Sequence, residues 1–370
     1  MRTRSSWMRL GALLLPVVVL STLAIQPARA ATPKPPAVRV TWLTIGDAGN
    51  HPDTEVMAAD RTTGYGGVDY TYRISKYLVT NAQYAAFLNA VASTSDPYLL
   101  YFPCMDKRDC YGAGSGIIRT GQEGSWHYAA HKGREKRPVN YVNLFSSMRF
   151  ANWMSNGQGH GSTETGAYTL SGGLPLASTN MLMVRRNPGA KVFLPSEDEW
   201  YKAAYYDAAK HKYWDYPSGS DTPTTCALPS KKRGDANCGL VTAEHNPANP
   251  GLTGVASWFW GDVTDIDAYP GSVSPYGAYD MGGNLFQWTQ ELSVSVLGQY
   301  HAGANVAPLT DALFGIAGNP FETNGIGPCA VVRGTDYGDG AKFGGAAGRT
   351  CDIAADPFET YGIRLAALPG

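Results

Sequence analysis

The six cysteines are the residues here most able to do chemistry, and their placement points to cross-links before catalysis. They fall as three local couples, Cys104–Cys110, Cys226–Cys238 and Cys329–Cys351, the first two bracketing charged, turn-rich loops. Such couples read as disulfides formed in an oxidising compartment, although six cysteines allow other pairings. The alternative is a reactive or metal-bound thiol pair, but no C-x-x-C spacing is present to poise one.

Other candidates for chemistry are sparser. His127 and His131 are spaced so that a helix or strand can put both on one face, yet no third metal ligand accompanies them. Asp262, Asp265 and Asp267 either hold a cation or line a solvated loop; the loop is expected. The same expectation covers the basic runs Lys231-Lys232-Arg233 and Lys132 to Arg137. Glu197, Asp198 and Glu199 offer paired carboxylates for acid–base work. Capping explains them more simply, because Ser196 precedes them and acids suit a helix N-terminus. There is no Gly-rich phosphate loop, no H-E-x-x-H and no Ser-His-Asp arrangement, and His160 and His245 fall in polar segments.

The elements that must position these groups can be read from pattern. Val38 to Ile45 and Val68 to Leu78 read as strands, the first followed by the loop Gly46 to Asn50. Thr80-Asn81-Ala82-Gln83 is a capping box, opening a helix with Tyr84, Phe87, Leu88 and Val91 on one face. Asn143 caps a second helix, lined by Leu144, Met148 and Ala151, with Trp153 near its end. Ser196 and Glu199 make a further capping box ahead of Trp200, Ala203 and Ala204.

The 43 glycines and 24 prolines, against only 16% charged residues, favour turns and irregular connections over long helices. No linker divides the chain. Residues 1–30 read as a signal peptide: Arg2, Arg4 and Arg9 precede a short, broken apolar run, and Ala28-Arg29-Ala30 ends it in a cleavable small-x-small pattern. That run is too short for a spanning helix, which needs about 20 apolar residues. Residues 31–37 form a Pro-rich leader and 38–370 one domain. The expected location is therefore periplasmic or extracellular, with no stable membrane insertion. Losing the four leader arginines makes an already acidic chain more so, which argues against nucleic acid as a partner.

Three further segments, Tyr279-Asp280-Met281-Gly282-Gly283-Asn284-Leu285-Phe286-Gln287-Trp288, then Val332-Arg333-Gly334-Thr335-Asp336-Tyr337, then Gly362-Ile363-Arg364, resemble the core of the formylglycine-generating enzyme (sulfatase-modifying factor) family. The family wording is G-N-x-W-E-W, R-G-G-S-[FW] and G-F-R. The helix starts near Thr80, Pro138 and Leu194 resemble its V-T-N-x-Q-Y, R-P-V-N-Y-V and L-P-[ST]-E-x-E-W elements, in order. The resemblance covers Ile45 to Leu365 and implies a single α+β, loop-rich domain of atypical C-type-lectin-like architecture.

Enzymes of that family hold Cu(I) with two cysteines that follow the R-G-G-S element. The matching positions here are Asp339 and one near Gly344, so copper is not expected. Cys329 and Cys351 flank this window, Cys351 following Gly348-Arg349-Thr350, which resembles the family's A-R-S element. The resemblance also implies a structural calcium site formed by Asp280, the carbonyls of Gly283 and Leu285, and Gln287. The alternative is that Asp280 and Asn284 merely cap the Gly282-Gly283 turn. At the former catalytic surface stand Arg333, Asp336, Asp339, Lys342 and Arg349. Arg349 and Arg364 are expected to anchor the fold on buried carboxylates; Asp336 and Asp339 are either a polar pocket or exposed turn residues.

Two functions follow. The first is a non-catalytic exported scaffold or accessory protein that binds a protein, peptide or glycan partner. The second is an oxidative tailoring enzyme acting on a secreted peptide or protein with a replacement cofactor.

Overall fold

Each of the three α-helices among the described residues of the computed structural model starts where a side chain can take up a free backbone N–H. The structure describes residues 37–106, 116–170, 184–239, 261–293, 329–352, 354 and 357–369. Residues 1–36 and Cys110 lie outside them, as does His245. Helix α1 (Asn81–Val91) has Thr80 Oγ1 accepting from Gln83 N at 3.3 Å and Gln83 Oε1 accepting from Thr80 N at 2.9 Å. Helix α2 (Leu144–Ser155) is capped by Asn143 Oδ1, and α3 (Glu197–Tyr205) by the reciprocal Ser196–Glu199 box. Each such cap contributes about 1 kcal/mol.

Two four-stranded sheets carry the rest. The first has the order β1 (Trp42–Ile45), β2 (Tyr72–Ser75), β14 (Ala366–Ala367), β5 (Val192–Phe193), all antiparallel. The second runs β12 (Thr350–Asp352), β11 (Cys329–Arg333), β10 (Phe286–Ser293), β13 (Tyr361–Gly362), with β13 parallel to β10. Three two-stranded pairs complete the described elements: β3 (Ile117–Thr120) with β4 (His127–Ala130), β6 (Tyr206–Asp207) with β7 (Lys212–Tyr213), and β8 (Thr225–Cys226) with β9 (Asp235–Ala236). The main core lies between α1, α2 and the sheets, where Tyr84, Phe87 and Phe150 are fully buried against one another. A second core gathers Trp200, Tyr201 and Tyr205 of α3 around Tyr72 and Met57.

The first two strands are shorter than their sequence patterns suggest, and side chains explain why. Gln158 donates to Val38 O and accepts from Val38 N, both at 2.8 Å, while Gln83 takes Arg39 O. Asn50 Oδ1 accepts from Val68 N. These backbone groups are satisfied outside a strand ladder. The two charged loops around Arg134 and Asp262 are also not independently solvated: Arg134 and Arg137 both hold Asp262 at 2.6 Å, and Lys136 reaches Asp267 at 3.2 Å. Among the described residues, no helix is long and apolar enough to cross a membrane.

Candidate functional site

The first turn of α3 faces the exit of β11, and there the three consecutive acids separate into three tasks. Glu197 accepts from Arg333 Nε at 2.8 Å and from Arg349 Nε at 2.8 Å, while Arg349 also meets Asp60. Asp198 accepts from Gly66 N, and Glu199 pairs with Arg186 at 2.7 Å. Arg333 Nη1 reaches the carbonyls of Ala346 and Gly348, and its Nη2 meets Met57 Sδ and Glu197. Arg333 and Arg349 are thus anchors, Arg349 on carboxylates as expected from sequence.

Beyond Arg333 the chain makes a turn closed by Asp336, whose Oδ1 accepts from Gly338 N at 2.8 Å and Asp339 N at 2.7 Å. Burial, together with the Asp339 charge, pushes the Asp336 carboxyl up to about 7. Asp336 is buried, not an exposed turn residue, and Asp339 is half-buried. Asp339 O accepts from Gly239 N at 2.8 Å, which ties the turn to the end of the Cys226–Cys238 disulfide. Lys342 is exposed, its ammonium 5.2 Å from the Phe343 ring. Gly344 is buried, and a Cβ added to it would lie 3.0 Å from Thr335 Cγ2. The five candidates therefore divide between an ionic anchor, a capped turn and a surface lysine.

The disulfide Cys226–Cys238 joins β8 to the residue after Asn237. Cys104 and Cys351 are each disulfide-bonded as well. Their expected partners fall outside the description: Cys110 is not among the described residues, and neither is the side chain of Cys329.

The turn expected to hold calcium leads into β10. Asp280 and Asn284 have φ of 53° and 69°, and Gly283, at φ 100°, approaches Asn237 O so closely that a Cβ would stand 2.8 Å from it. Asn284 exchanges hydrogen bonds with the backbone of Thr264, at 2.9 and 3.1 Å. Burial pushes the Asp280 carboxyl up to about 7 against the opposing pull of Arg364. Gly283 O accepts from Leu285 N at 3.0 Å. Gln287 is completely buried; its Oε1 accepts from Trp200 Nε1 at 2.7 Å and Arg364 Nε at 2.6 Å, and its Nε2 donates to Asp280 O at 2.5 Å. As a calcium ligand Gln287 does not fit, because its oxygen is already engaged by two donors. Arg364 anchors on this amide and on the carbonyls of Ser75 and Tyr279, not on a carboxylate.

His127 lies exposed on β4, and His131 Nε2 meets Asp106 at 2.9 Å. Among the described residues no group of three or more His, Cys, Asp or Glu side chains is arranged to hold a metal.

Sequence reading passed over one feature. A surface cavity of about 410 Å³ is lined by residues 47–54 with Tyr206, His211 and Tyr213. Tyr206 donates to Asp47, and that bond, with the neighbouring His211 and Lys202 charges, holds the Asp47 carboxyl below its ordinary range. His211 Nδ1 lies 3.5 Å from the same carboxylate. Asp47 and His211 both adopt the left-handed backbone, φ 55° and 51°, which Asp and His enter more readily than most side chains. The signal available in sequence was only a Gly-rich loop.

The comparisons agree with this architecture. A family model described as the sulfatase-modifying factor enzyme 1-like domain matches residues 55–368. No curated protein matches the chain. Among solved structures, CarF is similar over 90% of this chain and 100% of its own, at 17% identity and a TM-score of 0.52. The Treponema denticola variable protein 1 matches 90% of this chain and 96% of its own at 15% identity, TM-score 0.46. PvdO from Pseudomonas aeruginosa matches 89% and 92% at 16% identity, TM-score 0.42. At such identities the likeness to CarF speaks for fold alone. The family match, by contrast, runs from ahead of α1 to the strand that completes the first sheet, and on that span the chain belongs to the sulfatase-modifying factor family.

Proposed function

We propose that this protein is an exported, non-catalytic member of its family, a binding or accessory scaffold for a protein, peptide or glycan. The observation that carries the reading is the packing around Gly344. A cysteine at Gly344, near the second thiol position, would bring its Cβ to 3.0 Å from Thr335 Cγ2, a crowded contact, and the glycine there offers no sulfur. At the first, Asp339 supplies a hard carboxylate on a turn held by Asp336, and carboxylate is a poor ligand for Cu(I). The cavity between the Asp47 loop and Tyr206 supports a binding role, since it presents aromatic rings beside convergent polar groups. The leader segment and the Cys226–Cys238 disulfide support export.

The deciding assay presents a sulfatase-type cysteine peptide to the full mature chain with copper, oxygen and a thiol reductant, following the peptide mass. No conversion is expected. Multiple turnovers to the aldehyde overturn the reading, and stoichiometric iron or copper in the purified protein replaces it with the tailoring enzyme.

A further inference from the structure

We propose that the Asp280–Gln287 turn takes no calcium, and that the Arg364 guanidinium supplies the positive charge there. Calcium needs six to eight oxygen ligands, and the resemblance implies four groups of this turn, Gln287 among them. The orientation of the Gln287 amide is fixed by its neighbours. Trp200 Nε1 and the Arg364 guanidinium can only donate, so both require the amide oxygen, at 2.7 and 2.6 Å. The amide nitrogen must then face the other way, and it donates to Asp280 O at 2.5 Å. Reversing the amide would set its NH₂ against two donors and its oxygen against a carbonyl, inside a site where Gln287 is completely buried.

The consequence for a cation is direct. A carboxylate at 287 could accept from Trp200 and Arg364 with one oxygen and offer the second towards Asp280. Glutamine offers an N–H donor in that direction, and a donor nitrogen repels a metal ion. The charge is already matched without one: Arg364, fully buried, spends its other donors on Ser75 O at 2.6 Å and Tyr279 O at 2.5 Å and lies near enough to Asp280 to oppose its negative charge. A divalent ion at Asp280 would add positive charge beside that guanidinium.

The test is thermal melting and calcium titration of the full mature chain as wild type, Gln287→Glu and Asp280→Asn. The wild type is expected to melt at the same temperature in chelator and in millimolar calcium, whereas Gln287→Glu gains several degrees in calcium, because ligand binding to the native state alone raises its stability. A wild-type calcium response that disappears in Asp280→Asn overturns the proposal, and a folded Gln287→Glu that ignores calcium overturns the Gln287 amide as the reason for it. A wild-type response that survives Asp280→Asn arises elsewhere and leaves the proposal standing. Should Gln287→Glu fail to fold, the wild type and Asp280→Asn decide between these outcomes.

Discussion

Glu197 and Arg333 meet at 2.6 Å, the guanidinium wholly shielded from water and the carboxylate nearly so. Arg349 shares the same carboxylate and also pairs with Asp60, so Glu197 joins α3 to both ends of the connection between β11 and β12. Removing one member of a buried pair costs about 3–5 kcal/mol, since the partner charge is left uncompensated. Glu197→Ala is therefore expected to lose at least that much in urea unfolding, with Glu197→Gln losing less. A loss under about 1 kcal/mol would show that water relieves the arginines.

Thr335 and Gly344 should behave as a coupled pair. Gly344→Cys crowds Thr335 and is expected to destabilise by about 1–3 kcal/mol. Combined with Thr335→Gly, the cysteine should cost less than it does alone. A double-mutant cycle measures this directly, and an interaction energy within about 0.3 kcal/mol of zero would refute the packing argument.

Glu291 and Asp336 join Asp280 in setting the expected pH dependence. Burial pushes Glu291 up to about 8, with the nearby Glu197 charge adding to it, and Asp336 up to about 7. Both native values lie above those of the unfolded chain, so between about pH 4.5 and 8 the native state binds more protons. Stability from these groups is fully present below that window and lost as pH rises through it, by at most about 1.4 kcal/mol per pH unit for each proton. The carboxyls held low, such as Asp47 and Asp60, titrate below the window. Glu291→Gln should flatten the slope of unfolding free energy against pH; an unchanged slope would remove Glu291 as its source.

Opening the Cys226–Cys238 disulfide should loosen more than its own loop. A loop of this size is worth about 3 kcal/mol when closed. Because Gly239 N donates to Asp339 O, the double variant Cys226→Ser, Cys238→Ser should also speed amide exchange at Gly239. Unaltered exchange there would mean that the Asp336 turn holds the segment alone.

What could be read from sequence was what is local. The caps at Thr80, Asn143 and Ser196 depend on residues three positions apart, and the pattern states them completely. Arg134 and Asp262 were both visible, but each looked like part of a solvated loop, because nothing in either segment announces a partner 128 residues away. Gln287 is the sharper case. The motif around it names a metal ligand, while the amide's actual neighbours come from α3 and from Arg364, so its role follows only from the fold. The 47–54 cavity is not legible in sequence because its tyrosines arrive on β6 and β7 and its histidine on the turn between them, elements too short for the hydrophobic pattern to distinguish.

The place of β14 has a consequence for the order of events in synthesis. Ala366 stands between Ile74 on one side and Phe193 on the other, so the first sheet has a gap until β14 has been made. Until β14 is in place, the β1–β2 pair and the lone strand β5 each present an unpaired edge. Closing the sheet joins segments 289 residues apart, a long-range contact whose loop-closure entropy must be met before pairing rewards it.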